Sequence, residues 1–129
     1  YITLMFEDKP KIFGQERVDV INPFICVEGP IDSLFLKNCV AMAGSDTLDF
    51  KYRTLATICL DNEPRNRQIV QKMSKYLDNG FQIVIWPNKI KEKDINEMVM
   101  NGVDVESVLS ENVYSGMVGK IELNSWKKV

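Results

Sequence analysis

The sequence predicts an α/β domain: a mostly parallel central sheet flanked by helices, preceded by an N-terminal strand or hairpin lead-in. Three observations carry that prediction. Short, largely apolar runs recur at Phe24–Val27, Cys39–Ala43, Leu55–Leu60 and Phe81–Trp86, and runs this short suit strands buried on both faces of a parallel sheet. Each run stops on a polar or turn-forming residue: Glu28-Gly29, Gly44, Asp61 and Pro87. Between the last two lies Pro64–Asn79, whose apolar residues follow a helical period, and strands alternating with helices at these spacings make βαβ units.

Taken in order, Tyr1–Phe6 and Lys11–Val20 flank the turn-like Glu7-Asp8-Lys9-Pro10. They read as a lead-in strand pair over residues 1–21, with the main domain over 22–129. After the first buried run a helix is expected, with Pro30 near its first turn and Ile31, Leu34 and Phe35 at i, i+3 and i+4. In Pro64–Asn79 the residues Ile69, Val70, Met73, Tyr76 and Leu77 form one stripe, Pro64 suits the first turn, and Asn79-Gly80 supplies a left-handed stop. A shorter helix is expected over Asp94–Met100, burying Ile95, Met98 and Val99 and ending at Asn101-Gly102. A helical turn over Val105–Leu109 and an edge strand near Met117–Leu123 complete the expected order.

Composition narrows the chemistry. A chain of 129 residues with 45% hydrophobic content suits a single domain with a real core. No apolar stretch approaches the roughly 20 residues that span a bilayer, and no basic-then-apolar leader opens the chain. A soluble, cytoplasmic protein is therefore expected, without a membrane partner. The start at Tyr1, running straight into strand-like sequence, suggests a piece of a longer polypeptide. Cys26, Cys39 and Cys59 lie inside apolar runs without C-x-x-C spacing and read as reduced core residues. The chain has no histidine, which removes histidine-based nucleophile pairs, histidine general bases and most zinc enzymes. Carboxylate, lysine and metal chemistry remain. With 16 Lys+Arg against 18 Asp+Glu, any contact with nucleic acid has to be local or metal-mediated rather than driven by bulk charge.

In parallel sheets function collects beyond the carboxyl ends of the strands, and carboxylates sit at three such places: Glu28, Asp61 with Glu63, and Asp94. If strand geometry continues past Leu60, Asp61 and Glu63 at i and i+2 point the same way. Two anions so close repel unless a cation lies between them, and magnesium suits such a pair because it takes a few carboxylate oxygens and completes its shell with water and substrate phosphate. The plain alternative is that Asp61 begins a turn and Glu63 favours the positive end of the following helix. Glu28 and Asp32 stand four residues apart, close enough through one helical turn to share a cation; the plain alternative is a turn residue and a helix-start anion.

These residues resemble a known family. Glu28-Gly29-Pro30-Ile31-Asp32 resembles the E-G-x-x-D opening of Toprim domains in DnaG-type DNA primases. Asp61-Asn62-Glu63 resembles their D-x-D turn, and Lys93-Asp94-Ile95-Asn96-Glu97 their K-D-P-D-E segment, with Ala43-Gly44-Ser45 between the first two as a glycine-ended strand. Order and spacing agree from about Phe24 to Asn101, and the lead-in Ile12–Asp19 has the flavour of primases from T-even-type tailed phages. The resemblance implies synthesis of RNA primers on a single-stranded DNA template from ribonucleoside triphosphates, by metal-dependent nucleotidyl transfer. It implies that Asp61, Glu63 and Asp94 hold magnesium, with manganese as an alternative, that Asp32 assists, and that Glu28 is a ligand or the acceptor of the hydroxyl proton. Glu28, Asp61 and Glu63 are then the catalytic set. It also implies a replicative helicase as a partner, contacted through other regions. Two departures stand out: Glu63 replaces an aspartate, lengthening the reach of that carboxylate, and Asn96 replaces a second aspartate, leaving a neutral oxygen.

Arg65, Arg67 and Lys93 are candidates for contacting nucleotide or template phosphates because they flank the acidic segments, as Lys89 and Lys91 could; Lys72 and Lys75 read as a solvated helix face. Phe81 and Trp86 read as core rather than base-stacking platforms. A Toprim-type metal-dependent nuclease and a non-catalytic nucleic-acid-binding module are the alternatives within the resemblance. A receiver-like signalling domain also carries carboxylates at strand ends, but Glu28-Gly29 and Lys93-Asp94 do not fit its plan.

Overall fold

The computed structural model describes residues 3–4, 12–13, 23–29, 32, 36, 38–42 and 48–129. Strands β1 (Thr3–Leu4), β2 (Ile12–Phe13), β3 (Phe24–Val27), β4 (Cys39–Met42), β5 (Ala56–Cys59), β6 (Gln82–Val84) and β7 (Val113–Tyr114) form one sheet in the order β1-β2-β4-β3-β5-β6-β7. Helices are α1 (Arg67–Asp78), α2 (Ile95–Met100), α3 (Val105–Glu111) and α4 (Gly116–Trp126), with a 3-10 turn at Phe50–Tyr52. The four central strands β4, β3, β5 and β6 are mutually parallel, while β1, β2 and β7 run antiparallel at the two edges. This is the α/β arrangement expected from the sequence, and it is consistent with a Toprim-like fold.

The parallel strands are almost wholly buried, as their largely apolar runs require: β4 is buried at all four positions, and β3, β5 and β6 each leave one partly exposed. One face presents Ile25, Thr57 and Val84 toward α3. The opposite face, which includes Cys26, Ile58 and Ile83, is covered by α1 and α4, which pack on each other and on β6. In α1 the stripe Ile69, Val70, Met73, Tyr76 and Leu77 is buried as its spacing predicts. All three cysteines are buried.

Several boundaries differ from the sequence reading. Helix α1 starts at Arg67, because the Asn66 side chain caps the backbone N–H groups of Gln68 and Ile69; Pro64 therefore precedes the helix rather than occupying its first turn. At the other end Gly80, at φ +86°, provides the expected stop. The edge strand expected near Met117–Leu123 is part of helix α4. Gly119, Leu123 and Trp126 are buried at i, i+4 and i+7, and α4 lies so close to α1 that a Cβ on Gly119 would stand 2.6 Å from Leu77 Cδ2. The outer side of that helix leaves Met117, Val118 and Ile121 exposed, so apolar residues lie all around it and its period was hidden. The edge position belongs instead to β7, which no sequence signal marked. The hairpin pairing of β1 with β2 is present, and β2 continues the sheet by pairing with β4. The helix expected from Pro30 to Phe35, the turn at Glu7–Pro10 and the Ala43-Gly44-Ser45 strand end lie outside the described residues, apart from Asp32 itself.

Candidate metal and nucleotide site

Strand order decides where the acidic residues meet. From β3 the chain passes to β4 on one side, whereas from β5 it passes to β6 on the other. Neighbouring strands whose exits diverge leave a crevice beyond their carboxyl ends, and that crevice lies between β3 and β5. Val27 is in register with Cys59. Glu28 thus leaves β3 immediately after the last paired rung, and Asp61 leaves β5 two residues after it, so both stand at the crevice mouth. Trp86, beyond β6, donates from Nε1 to the Leu60 carbonyl at 2.9 Å and fixes the end of β5 just before Asp61. Its ring is buried, as is Phe81, so both act in the core as expected.

Each carboxylate has a distinct setting. Glu28 is half-buried, and its Oε1 is buried without a hydrogen-bond partner. Burial raises its pKa, the Lys72 ammonium on α1 opposes that, and the charges of Glu63 and Asp32 add to the rise. Asp32 is 7% exposed, and its Oδ1 accepts the backbone N–H of Asn96 at 2.9 Å, which ties the segment after β3 to the first turn of α2. Burial raises its pKa, the Asn96 N–H counters it and Asp94 raises it again. Gly29 makes room for this carboxylate: a Cβ there would lie 2.9 Å from Asp32 Oδ2. Asp61 is held up to about 7, first by burial and then by the charges of Glu28, Asp32, Asp94 and Glu63. Glu28, Asp32 and Asp61 therefore each feel the charge of at least one other acidic residue singled out from the sequence.

They share a field without forming a ready cage. Among the described residues, no three Asp, Glu or Cys side chains are gathered as a metal-ligand group. Asp94 has a structural duty as well, since its Oδ1 caps α2 by accepting the Glu97 N–H at 2.8 Å. Asn96, where a neutral oxygen was expected, is exposed and contributes its backbone N–H instead.

Sequence reasoning missed two contributors. Asn62 sits between Asp61 and Glu63, and its Nδ2 donates to the carbonyls of Ile90 and Glu92, both at 3.0 Å, while its backbone N–H donates to the Lys93 carbonyl at 2.6 Å. These bonds clamp the acidic turn to the loop that carries Lys93 and Asp94. The alternation rule contained the hint, because a residue between two that point one way points the other. Lys72, read as solvated, is half-buried and is the cation that acts on Glu28; it flanks the buried α1 stripe, whereas Lys75 faces solvent. Arg65, Arg67 and Lys93 are exposed. Arg65 and Lys93 line one open depression of about 540 Å³ beside Glu63, and Arg67 is not among its lining residues.

No helix among the described residues is long and apolar enough to cross a membrane. No protein-family model matches the chain. Over an alignment of 139 positions covering 100% of this chain, the sequence is 33% identical to the DNA primase of Enterobacteria phage T4. The chain spans 40% of that relative's length, and the likeness supports a primase-related domain of phage type.

Proposed function

We propose that this chain is the Toprim-type catalytic domain of a phage DNA primase, which makes RNA primers on single-stranded DNA from ribonucleoside triphosphates. One observation supports the reading: Glu28, Asp32 and Asp61, from segments that exit β3 and β5 beside the crevice, each have a pKa raised by burial and by neighbouring carboxylates. The donor set fits magnesium or manganese. It is made of hard oxygens, and Glu28 Oε1 is a buried acceptor without a partner. Glu28, Asp61 and Glu63 would hold the ion, with Asp32 and Asp94 beside them. When bound, the ion would neutralise developing charge on the phosphate under attack and orient it for displacement.

The chain's own groups do the rest. Asp61, as a ligand, would be ionised with the ion bound; Glu28, whose pKa burial raises, stands across the crevice as a ligand or the acceptor of the primer 3′ hydroxyl proton. Asp32, anchored on the Asn96 N–H, keeps the two acidic loops together. Arg65, Arg67 and Lys93 would contact phosphates of nucleotide or template. A replicative helicase partner belongs to the whole-protein reading.

The test uses Glu28→Gln and Asp61→Asn, which keep side-chain volume. Manganese affinity, read by electron paramagnetic resonance, should fall at least about tenfold in each, and primer synthesis by the full-length protein should fall by orders of magnitude. Unchanged metal affinity with full primer synthesis would dismiss the reading. Nicking of DNA without nucleotides would turn it toward the nuclease.

A further inference from the structure

We propose that the depression lined by Arg65, Lys93 and Lys128 binds the polyphosphate group of a nucleoside triphosphate, with Lys128, just beyond α4, supplying its third cation. Lys128 lies far along the chain from the acidic segments, and tertiary structure carries it there. Helix α4 is docked by the buried Trp126, Lys127 leaves it in an extended conformation, and the Lys128 backbone N–H donates to the Pro64 carbonyl at 2.8 Å. The segment after α4 is thereby fastened to the stretch between the acidic turn and α1.

The charge balance of the depression points to an anion. Its lining holds three cationic residues and one carboxylate, Glu63. None of the three cations is in an ion pair among the described residues, where the ion pair found is Lys120 with Asp78 at 2.9 Å, on α4 and α1. Three cations against one carboxylate leave net positive charge, and a multiply charged anion neutralises it while gaining charge-assisted hydrogen bonds. A volume of about 540 Å³ accommodates a compact group. A single strand, by contrast, needs cations spread along a track that follows its backbone. Convergence on one depression therefore favours adjacent phosphates on one small molecule. Because Glu63 belongs to both the depression and the acidic crevice, a triphosphate held here would lead toward the carboxylates. The inference rests on the nucleotidyl-transfer reading for its substrate, but not for its anion.

The experiment is calorimetric titration of the full-length protein with inorganic tripolyphosphate in the absence of divalent metal. Wild-type protein should bind it. Lys128→Ala should weaken binding about 3- to 10-fold and Lys128→Glu by more, while Lys120→Ala leaves it unchanged. In primer synthesis Lys128→Ala should raise KM for nucleotide with kcat little altered, because the contact serves ground and transition states alike. Its affinity for a single-stranded oligonucleotide should not change. Melting should not change either, since the bond from Lys128 to Pro64 is made by the backbone. Equal tripolyphosphate binding by wild type and Lys128→Glu would overturn the proposal. So would a loss of oligonucleotide affinity in proportion to the loss of tripolyphosphate, which would make the strand the ligand. If the full-length protein made no primers yet bound tripolyphosphate through Lys128, this site would stand while the primase reading fell; primer synthesis with Lys128-independent binding would be the reverse.

Discussion

Asp61 carries the clearest electrostatic signature of the chain. Its unfolded-state pKa is near the ordinary aspartate value of about 3.9, and in the fold it is held up to about 7. The native state therefore binds more protons than the unfolded state between those limits, and stability falls as pH rises through that window. The destabilising charge is absent below about pH 4 and fully present above pH 7. Melting followed from pH 5 to 8 without metal should decline, and Asp61→Asn should flatten the decline and raise stability near pH 8 by about 1 kcal/mol. A steeper decline in the variant would show that the carboxylate is structurally paired rather than crowded. Gly29 gives a second residue-level expectation. Gly29→Ala puts a Cβ 2.9 Å from Asp32 Oδ2, so it should cost about 1 to 3 kcal/mol. Asp32→Ala in the same chain should recover part of that loss, since the colliding atom is gone, and strictly additive losses in the double-mutant cycle would refute this contact as the reason for the glycine.

At the scale of elements, the acidic turn after β5 and the loop before α2 are held as one unit by Asn62, whose side chain satisfies two loop carbonyls. Asn62→Ala strips those acceptors in a partly buried place and should cost about 1 to 2 kcal/mol. Metal affinity should fall with it, although the substitution removes no charge, because Asp61 and Asp94 then move independently. Manganese titration beside urea melting measures both, and unchanged affinity with lowered stability would confine Asn62 to a structural role. Helix α2 illustrates a shared duty: Asp94 caps it and also raises the pKa of Asp61 and Asp32. Truncation there mixes the loss of a cap, about 1 kcal/mol, with relief of repulsion.

For the whole molecule, the topology concentrates charge at one end of the sheet. Strands β3 and β5 deliver Glu28 and Asp61, the segment after β3 delivers Asp32, and α2 delivers Asp94, all to the same crevice. Relief of their repulsion by a cation is available only to the folded arrangement, so millimolar magnesium or manganese should raise the melting temperature in proportion to the logarithm of its concentration. The gain should be larger at pH 8 than at pH 6, because the ion has to displace the proton on Asp61. No shift up to tens of millimolar at either pH would remove the cation from the proposed function.

The sequence by itself determined the local terms. Apolar runs announced β3, β4, β5 and β6 because strands buried on both faces need an apolar side chain at nearly every position. The stripe of α1 was legible because one face of that helix is solvated. The acidic motifs could be marked because they directly follow strand ends, where side chains leave the sheet. What only the tertiary structure decided depends on distant partners. Helix α4 read as a strand because its outer side is apolar too, and only its packing against α1 at Gly119 shows the helical face. Asp32 joins the site through an N–H 64 residues away, Lys72 through the packing of α1 beside Glu28, and Lys128 through a bond to Pro64. Local pattern encodes burial and propensity, which are properties of neighbouring residues. The crevice arises from strand order, and strand order is fixed by contacts between segments that the one-dimensional pattern never compares.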